Sequence, residues 1–123
     1  MTKYSSRYAS SPDAVKKYDT QQLREEFLID DLMQEDEIVL VYSHYDRYIA
    51  GSAVPVQDLV LESIDPLKAS YFLERRELGI INIGGKGTVT ADGKKFELDK
   101  LSCLYLGKGT QKVSFTSASK KNP

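Results

Sequence analysis

The fold class of this sequence is decided by residues 87–98, GTVTADGKKFEL. Asp92-Gly93 stands between two short strand-like runs, residues 88–91 and 94–98. An Asp-Gly pair in this position is a strong signal for a two-residue turn between antiparallel strands. The stretch therefore predicts a β-hairpin.

Other short strand-like segments surround this hairpin along the chain. Residues 38–42 form a continuous β-branched and apolar run, and Pro55 within residues 48–56 indicates a sheet edge or a bulge. Turn residues separate the segments, which is typical of a sandwich or barrel and not of βαβ units. The remaining predicted strands are residues 58–64, 69–73, 78–83, 102–106 and 112–116.

The first third of the sequence is predicted to be helical. Ser11 followed by Pro12 supplies an N-cap and a proline at the first helical position, which predicts a short helix over residues 12–18. Asp19 with Gln22 three residues later repeats the capping pattern and begins a second helix.

The second helix is expected to be amphipathic and to lie on the core, because Leu23, Phe27 and Leu28 share one face. An acidic stretch follows it, and we interpret this stretch as a solvated turn in preference to a metal site, because loop carboxylates alone rarely bind metals. Its members are Asp30, Asp31, Glu35, Asp36 and Glu37.

Composition limits the classes of partner. The chain has 123 residues, 17 Lys+Arg against 18 Asp+Glu, a formal net charge of -1, and one Cys. This length supports one domain that buries roughly two-thirds of its unfolded surface. The charge gives no attraction to nucleic acid or anionic lipid, so we expect neither as a partner. A lone cysteine suits a reducing compartment, and we expect a cytoplasmic protein without a secretory signal or a membrane span.

Candidates for catalysis are few. One histidine, His44, cannot form a site of two or three imidazoles. It could act as a general base oriented by Asp46, but no nucleophile is identifiable by spacing, and a hydrogen-bonded structural histidine is the preferred interpretation. Cys103 lies in an apolar run, which favours an inert thiol in the core.

Two charged or glycine-rich segments have both a binding and a structural interpretation. Residues 84–87, GGKG, precede a strand and not a helix, so a tight turn that uses positive φ is preferred over a phosphate cradle. Residues 74–77, ERRE, place Arg75 and Arg76 between apolar strands, where they could hold a sugar acid through bidentate hydrogen bonds. A solvated or mutually paired surface turn is the alternative that the residues alone favour.

One spacing resembles the first motif of cupin β-barrels. Six residues separate Glu77 from Gly84, as in the interval between the glutamate and the glycine of that motif. The two histidine positions of the motif carry other residues here. These are Tyr71 and Leu73, or Ser70 and Phe72 in the longer form of the motif.

The second cupin motif has a partial counterpart. Gly107-Lys108-Gly109 matches its turn, and Lys112 stands at its histidine position. A protonated lysine is not a metal ligand. The alignment therefore implies that the barrel frame is kept and its metal ligands are not.

A more specific resemblance comes from four segments of sequence. They are residues 19–28 (DTQQLREEFL), 41–47 (VYSHYDR), 70–85 (SYFLERRELGIINIGG) and 104–109 (LYLGKG). Together they resemble the N-terminal half of the 5-keto-4-deoxyuronate isomerases, also called 4-deoxy-L-threo-5-hexosulose-uronate ketol-isomerases. The resemblance extends from about residue 19 to residue 117.

The resemblance implies a two-barrel cupin isomerase of pectin and uronate catabolism. That family interconverts 5-dehydro-4-deoxy-D-glucuronate and 3-deoxy-D-glycero-2,5-hexodiulosonate, forms homo-oligomers, and holds zinc through three histidines and a glutamate in its C-terminal half. No position here matches those ligands. We therefore expect no catalytic residue, no metal ligand and no zinc bound by this chain alone.

Two hypotheses about function follow. In the first, the chain is the N-terminal part of the ketol-isomerase and is inactive without the other half. In the second, it is a non-catalytic, degenerate cupin module for uronate binding or subunit assembly. Arg75, Arg76 and Lys112 are then the candidates for the sugar carboxylate.

The expected fold is mainly β, a cupin-like (RmlC-like) barrel or sandwich preceded by short N-terminal helices. We expect a helical arm over residues 1–36, a degenerate cupin-like barrel over 37–117 and a polar tail over 118–123. The metal-binding barrel of the family is expected to be absent from these 123 residues.

Overall fold

The computed structural model describes residues 2–123, and these residues form nine strands, two α-helices and one 3-10 helix. The first five elements are β1 (Thr2–Arg7), α1 (Pro12–Val15), α2 (Thr20–Phe27), β2 (Ile38–Ser43) and β3 (Tyr48–Ala53). The next elements are β4 (Leu59–Val60), the 3-10 helix (Asp65–Leu67), β5 (Leu78–Ile81) and β6 (Gly87–Ala91). The last three strands are β7 (Lys94–Leu98), β8 (Cys103–Leu106) and β9 (Val113–Ser117). The mainly β class is confirmed.

The strands form three sheets. In the first, β2 is central, with β1 parallel on one side and β3 antiparallel on the other. The second has the order β4-β9-β6-β7 and is antiparallel throughout. The third consists of β5 and β8 alone, also antiparallel.

The predicted hairpin is confirmed, with the same turn. Ala91 pairs with Lys94, and the two turn residues have positive φ, +47° at Asp92 and +83° at Gly93. These angles define the type I′ turn that matches strand twist. The carboxylate of Asp92 accepts hydrogen bonds from the backbone N–H groups of Gln111 (3.2 Å) and Lys112 (2.9 Å), which ties the turn to the start of β9.

One apolar core joins all three sheets. The buried members include Leu40 of β2, Val89 of β6, Leu106 of β8 and Val113 of β9. Leu73, only 1% exposed, lies in the same cluster although it belongs to no strand. No polar or charged residue is buried in residues 2–123, so the centre of the fold is a packed apolar interior.

The N-terminal strand β1 was not predicted from the sequence, which indicated only helices in this third of the chain. Its sequence, TKYSSR, lacks the apolar alternation of a typical strand. It forms because the edge of β2 offers backbone hydrogen-bonding groups, and Thr2–Arg7 pairs with Ile38–Ser43 along its whole length. A neighbouring strand has here overridden a weak local signal.

The two helices have the predicted N-termini but not all of the predicted properties. Ser11 and Asp19 cap α1 and α2, and the capping box with Gln22 is complete. However, α1 ends at Val15, short of residue 18. The prediction that α2 lies on the core is wrong, because none of its residues is buried. The helix lies beside the β2–β3 loop, where the ring of Phe27 is 6.2 Å from that of Tyr45.

Residues 69–73 do not form the predicted strand. They pass through bends and turns, in which Glu74 donates its backbone N–H to the carbonyl of Tyr71 and Ser70 donates to the Glu74 carboxylate. Phe72 and Leu73 are buried. The apolar pattern therefore predicted their burial correctly, but it predicted a strand where the backbone forms bends and turns. The predicted strand over residues 58–64 likewise shortens to Leu59–Val60.

Residues 84–86 lie in the connection between β5 and β6, as predicted, and Gly87 begins β6, but the predicted reason for the glycines is wrong. Positive φ is recorded for Gly93 and Gly109 and not for Gly84 or Gly85. Instead, a Cβ on Gly84 would clash with the carbonyl oxygen of Pro123, and a Cβ on Gly85 with that of Asn122. Glycine is required because the backbone of residues 122–123 packs directly against this loop.

The acidic residues from Asp30 to Glu37 lie in a loop and turn, as predicted. Asp36 accepts a 2.7 Å hydrogen bond from the backbone of Gln57, and Glu37 forms an ion pair with Lys3 at 3.3 Å. In the part of the chain that is described, no helix has the length and apolar character needed to cross a bilayer.

Candidate functional site

The residues at the cupin-motif positions differ in burial. Phe72 and Leu73, which stand at histidine positions of the first motif, are buried in the apolar core. Glu77 and Lys112 are exposed on the surface. The interior that the motif would use for a metal is therefore filled by hydrocarbon side chains.

Arg75 is bound to backbone carbonyl groups. Its Nη2 donates hydrogen bonds to the carbonyl oxygens of Leu67 (2.6 Å) and Lys68 (3.0 Å), at the end of the 3-10 helix. Glu74 lies 3.8 Å away as a partly exposed ion-pair partner. Arg75 thus anchors the loop that precedes β5, in keeping with the paired surface turn that the sequence favoured.

Arg76 lies in a cluster of aromatic side chains. Its Nη2 donates a 2.7 Å hydrogen bond to the carbonyl oxygen of Arg47, and its guanidinium carbon is 5.5 Å from the centroid of the Tyr42 ring. A guanidinium over a tyrosine face is a favourable cation–π arrangement. The residue therefore joins the segment before β5 to the β2–β3 hairpin.

Lys112 has a different neighbour from either arginine. It stands immediately before β9, and its backbone N–H donates a hydrogen bond to the carboxylate of Asp92, in the turn of the β6–β7 hairpin. The structure thus gives the three predicted carboxylate-binding residues different neighbours.

His44 is exposed and stacked between tyrosines. The ring of Tyr8 lies 4.5 Å from the imidazole in a stacked arrangement, and that of Tyr42 lies 5.0 Å away, edge to face. Its backbone N–H donates to the carbonyl of Arg7 at the end of β1. Across the described chain, no hydrogen bond from the imidazole is recorded, so the predicted hydrogen-bonded histidine is corrected to one held by aromatic packing.

A cleft of about 250 Å³ separates β1 from residues 29–34. Lys3 and Arg7 line it together with Asp30 and Asp31, so its charges are mixed. The Nη1 atom of Arg7 is buried without a hydrogen-bond partner. None of the residues that the sequence suggested as ligands of a uronate lines this cleft.

Cys103 is exposed, which corrects its assignment to the core. It lies on β8, where alternate side chains face opposite sides of the sheet, and Leu104 and Leu106 take the inward positions. Cys103 and Tyr105 therefore face outward.

Tyr105 is paired with the motif glutamate. Its hydroxyl donates a 2.6 Å hydrogen bond to the carboxylate of Glu77. This hydrogen bond, with smaller contributions from desolvation and from the negative charge of Glu77, raises the pKa of Tyr105 above its ordinary value of 10.0. The glutamate at the cupin position therefore accepts a hydrogen bond from an exposed tyrosine on the surface.

The donor set does not fit the zinc ion that the family resemblance implies. Residues 2–123 contain no group of three His, Cys, Asp or Glu side chains arranged to hold a metal ion. A catalytic zinc site needs about three such protein ligands. No chemical step of the isomerisation can be derived from the side chains described above.

Comparison with known proteins assigns the chain to a family. It is 65% identical over 123 residues to a protein of Formosa agariphila named 4-deoxy-L-threo-5-hexosulose-uronate ketol-isomerase. Proteins of the same name from Lachnoclostridium phytofermentans and Halalkalibacterium halodurans are 58% and 52% identical over 118 residues. The chain corresponds to the N-terminal half of this ketol-isomerase family. No protein-family model matches it.

The chain is much shorter than these relatives. The alignments cover 99% or 95% of it but only 44% or 43% of the ketol-isomerases, in their N-terminal half. The resemblance found in the sequence is confirmed, including its restriction to one half.

The sequence did not lead us to predict two features of the molecular surface, the stacking of Tyr8 on His44 and the exposed apolar side of β5. The stacking of Tyr8 on His44 joins residues that follow different strands, so it has no local signal. The exposed side of β5 has an ambiguous signal, because Gly79, Ile81 and Ile83 alternate with a second row that begins with Leu78 and Ile80. Both rows carry apolar residues, so the alternation defines two faces without showing which one is buried.

Proposed function

We propose that this chain is the N-terminal, cupin-like module of a 4-deoxy-L-threo-5-hexosulose-uronate ketol-isomerase, and that isomerisation requires the further polypeptide that its relatives carry. The observation that supports this most strongly is 65% identity confined to 44% of a relative's length. The apolar interior and the lack of a ligand set in residues 2–123 are consistent with it.

The proposal includes the reaction and its setting. The substrate is a 5-dehydro-4-deoxyuronate, and the product is its 2-keto isomer, formed in the breakdown of pectin and uronates. The zinc ion is placed in the polypeptide beyond this chain. We also propose a cytoplasmic, homo-oligomeric protein without nucleic-acid or membrane partners. The formal net charge of -1 supports the last part of this proposal, because it gives the chain no attraction to polyanions.

A fusion experiment tests the proposal. The 123-residue chain is joined at Pro123 to the C-terminal part of the Formosa agariphila relative, and ketose formation from the 5-keto uronate is followed with zinc present. The fusion is expected to turn over, and the chain alone is not. The full-length relative and its C-terminal part alone are the controls. Turnover at an enzyme-like rate by the chain alone would contradict the proposal.

The second hypothesis, a uronate-binding module, is tested separately. Arg75, Arg76 and Lys112 remain its proposed carboxylate ligands, although Arg75 and Arg76 already bind carbonyl groups. Galacturonate and deoxy-keto uronates are titrated into the chain by calorimetry and NMR. The absence of heat and of chemical-shift changes at millimolar ligand would exclude this hypothesis.

A further inference from the structure

The β5–β8 sheet has an outer face that consists of apolar residues. The register pairs Gly79 with Tyr105 and Ile81 with Cys103, and all four are exposed. Ile83 and Leu101 extend the same face at one end, where the backbone N–H of Leu101 donates to the carbonyl of Asn82. We call these six residues the outer face: Gly79, Ile81, Ile83, Leu101, Cys103 and Tyr105.

The outer face is unusual for a surface in water. Ile81 and Tyr105 are each 65% exposed and Leu101 is 70% exposed. None of the six residues is charged. Single exposed apolar side chains are common, but a contiguous group on one sheet marks a site of interaction. β5 and β8 also pair only with each other among the described strands, so their outer edges are free to accept a neighbour.

The chain end indicates what covers this face. Asn122 and Pro123 pack against Gly84 and Gly85, immediately after Ile83. Ala118 donates its backbone N–H to the carbonyl of Lys86, which holds the preceding segment at the same loop. Polypeptide that continues beyond Pro123 therefore begins beside one end of the outer face. The relatives have more than half of their length outside the region matched by this chain, which covers 44% of one of them.

We propose that the outer face binds the C-terminal part of a ketol-isomerase chain, through an apolar surface on that part. This inference rests on the proposed function, because the partner is the polypeptide that the isomerase requires. The two apolar rows, Gly79-Ile81-Ile83 and Tyr105-Cys103-Leu101, form the centre of the interface. Glu77, bonded to the hydroxyl of Tyr105, forms its polar border.

The reactivity of the Cys103 thiol measures directly whether the outer face is covered. It is the only cysteine of the chain and lies at the middle of the outer face, opposite Ile81. Its rate of alkylation by a maleimide is measured by mass spectrometry on the tryptic peptide of residues 101–108. The 123-residue chain is compared with its fusion, at Pro123, to the C-terminal part of the Formosa agariphila relative. We expect alkylation in the fusion to be at least about tenfold slower.

Matched substitutions test whether the face itself is responsible. Ile81→Lys in the fusion places a charge in the interface and is expected to return the alkylation rate to within about twofold of the free chain. Tyr48→Lys, at a residue of β3 that is 69% exposed, is expected to leave Cys103 protected. Circular dichroism of each variant checks folding. If Ile81→Lys does not fold, the protection of Cys103 in the unsubstituted fusion still shows whether the C-terminal part covers the outer face.

The outcomes separate this inference from the proposed function. An active fusion in which Cys103 reacts as fast as in the free chain overturns the interface and leaves the function intact. Protection in an inactive fusion supports the interface, while the proposed function fails. Concentration-dependent protection in the 123-residue chain alone identifies a second copy as the occupant and overturns the proposal.

Discussion

The two faces of the β5–β8 sheet have similar composition and opposite environments. The inner face carries Leu78, Ile80, Leu104 and Leu106, which pack on or within the core. The outer face carries Ile81 and Tyr105, which are 65% exposed. Apolar character alone therefore does not decide which side of a strand pair is buried in this molecule.

The difference shows which contacts this chain supplies for itself. The inner face is covered because the sheets that contain β2 and β6 share the same core. No element of residues 2–123 buries the outer face. Its apolar residues therefore contribute little to the folding of these residues, and we assign them to association.

The largest predicted loss of stability comes from a substitution in the buried core. Leu73→Ala removes a side chain that is 1% exposed and leaves a cavity between the sheets. We expect it to lower the free energy of unfolding by about 2–5 kcal/mol. Urea denaturation followed by circular dichroism measures the change.

Ile83→Ala is the matched control for this prediction. It shortens an apolar side chain on the outer face and is expected to change the stability of the 123-residue chain by less than about 0.5 kcal/mol. Equal losses for Leu73→Ala and Ile83→Ala would show that both faces are covered in the free chain, contrary to the comparison.

The next effect concerns two glycines with different roles. Gly93, in the type I′ turn, has a φ of +83°, and Gly93→Ala is expected to cost about 1–2 kcal/mol because a Cβ disfavours the left-handed region. Gly79, on the outer face, has no atom within 4 Å of an added Cβ. Gly79→Ala is expected to be neutral or to stabilise by up to about 1 kcal/mol, through reduced freedom of the unfolded chain. Thermal denaturation compares the two variants. A loss for Gly79→Ala as large as that for Gly93→Ala would contradict the assigned difference.

The smallest effect is on the titration of Tyr105. Glu77→Gln removes the carboxylate that accepts the hydrogen bond of the Tyr105 hydroxyl, and it is expected to lower the pKa of Tyr105 toward 10.0. Because the pKa is raised in the folded state, the associated stabilisation is present below pH 10.0 and is lost as the pH rises through the folded value. Tyrosinate absorbance is measured against pH for the original chain, Glu77→Gln and Tyr105→Phe. Identical difference curves for the original chain and Glu77→Gln would contradict the hydrogen bond as the cause.

Local sequence signals predicted those features that local chemistry controls. Asp92-Gly93 specified its turn because both residues adopt positive φ. Ser11 and Asp19 specified helix starts because their side chains accept the free N–H groups of the first turn. Residues 70–85 indicated the family, and the relatives confirm it. The division into arm, barrel and tail, and the role of Arg75, Arg76 and Lys112, stay predictions.

Features that depend on distant partners could not be predicted in this way. Strand β1 depends on the edge of β2, and the stacking of His44 depends on Tyr8, which follows β1. The strand predicted over residues 69–73 was wrong because a buried turn and a buried strand both need apolar residues.

The sequence by itself determined a mainly β chain, its central hairpin, its helix caps and its family, since each depends on neighbouring residues or on the similarity of long segments. The tertiary structure decided that Cys103 faces outward, that Arg75 and Arg76 bind carbonyl groups, and that the glycines at 84 and 85 make room for the backbone of residues 122–123. The physical reason is that alternation along a strand defines two faces, but only packing between sheets determines which face is buried.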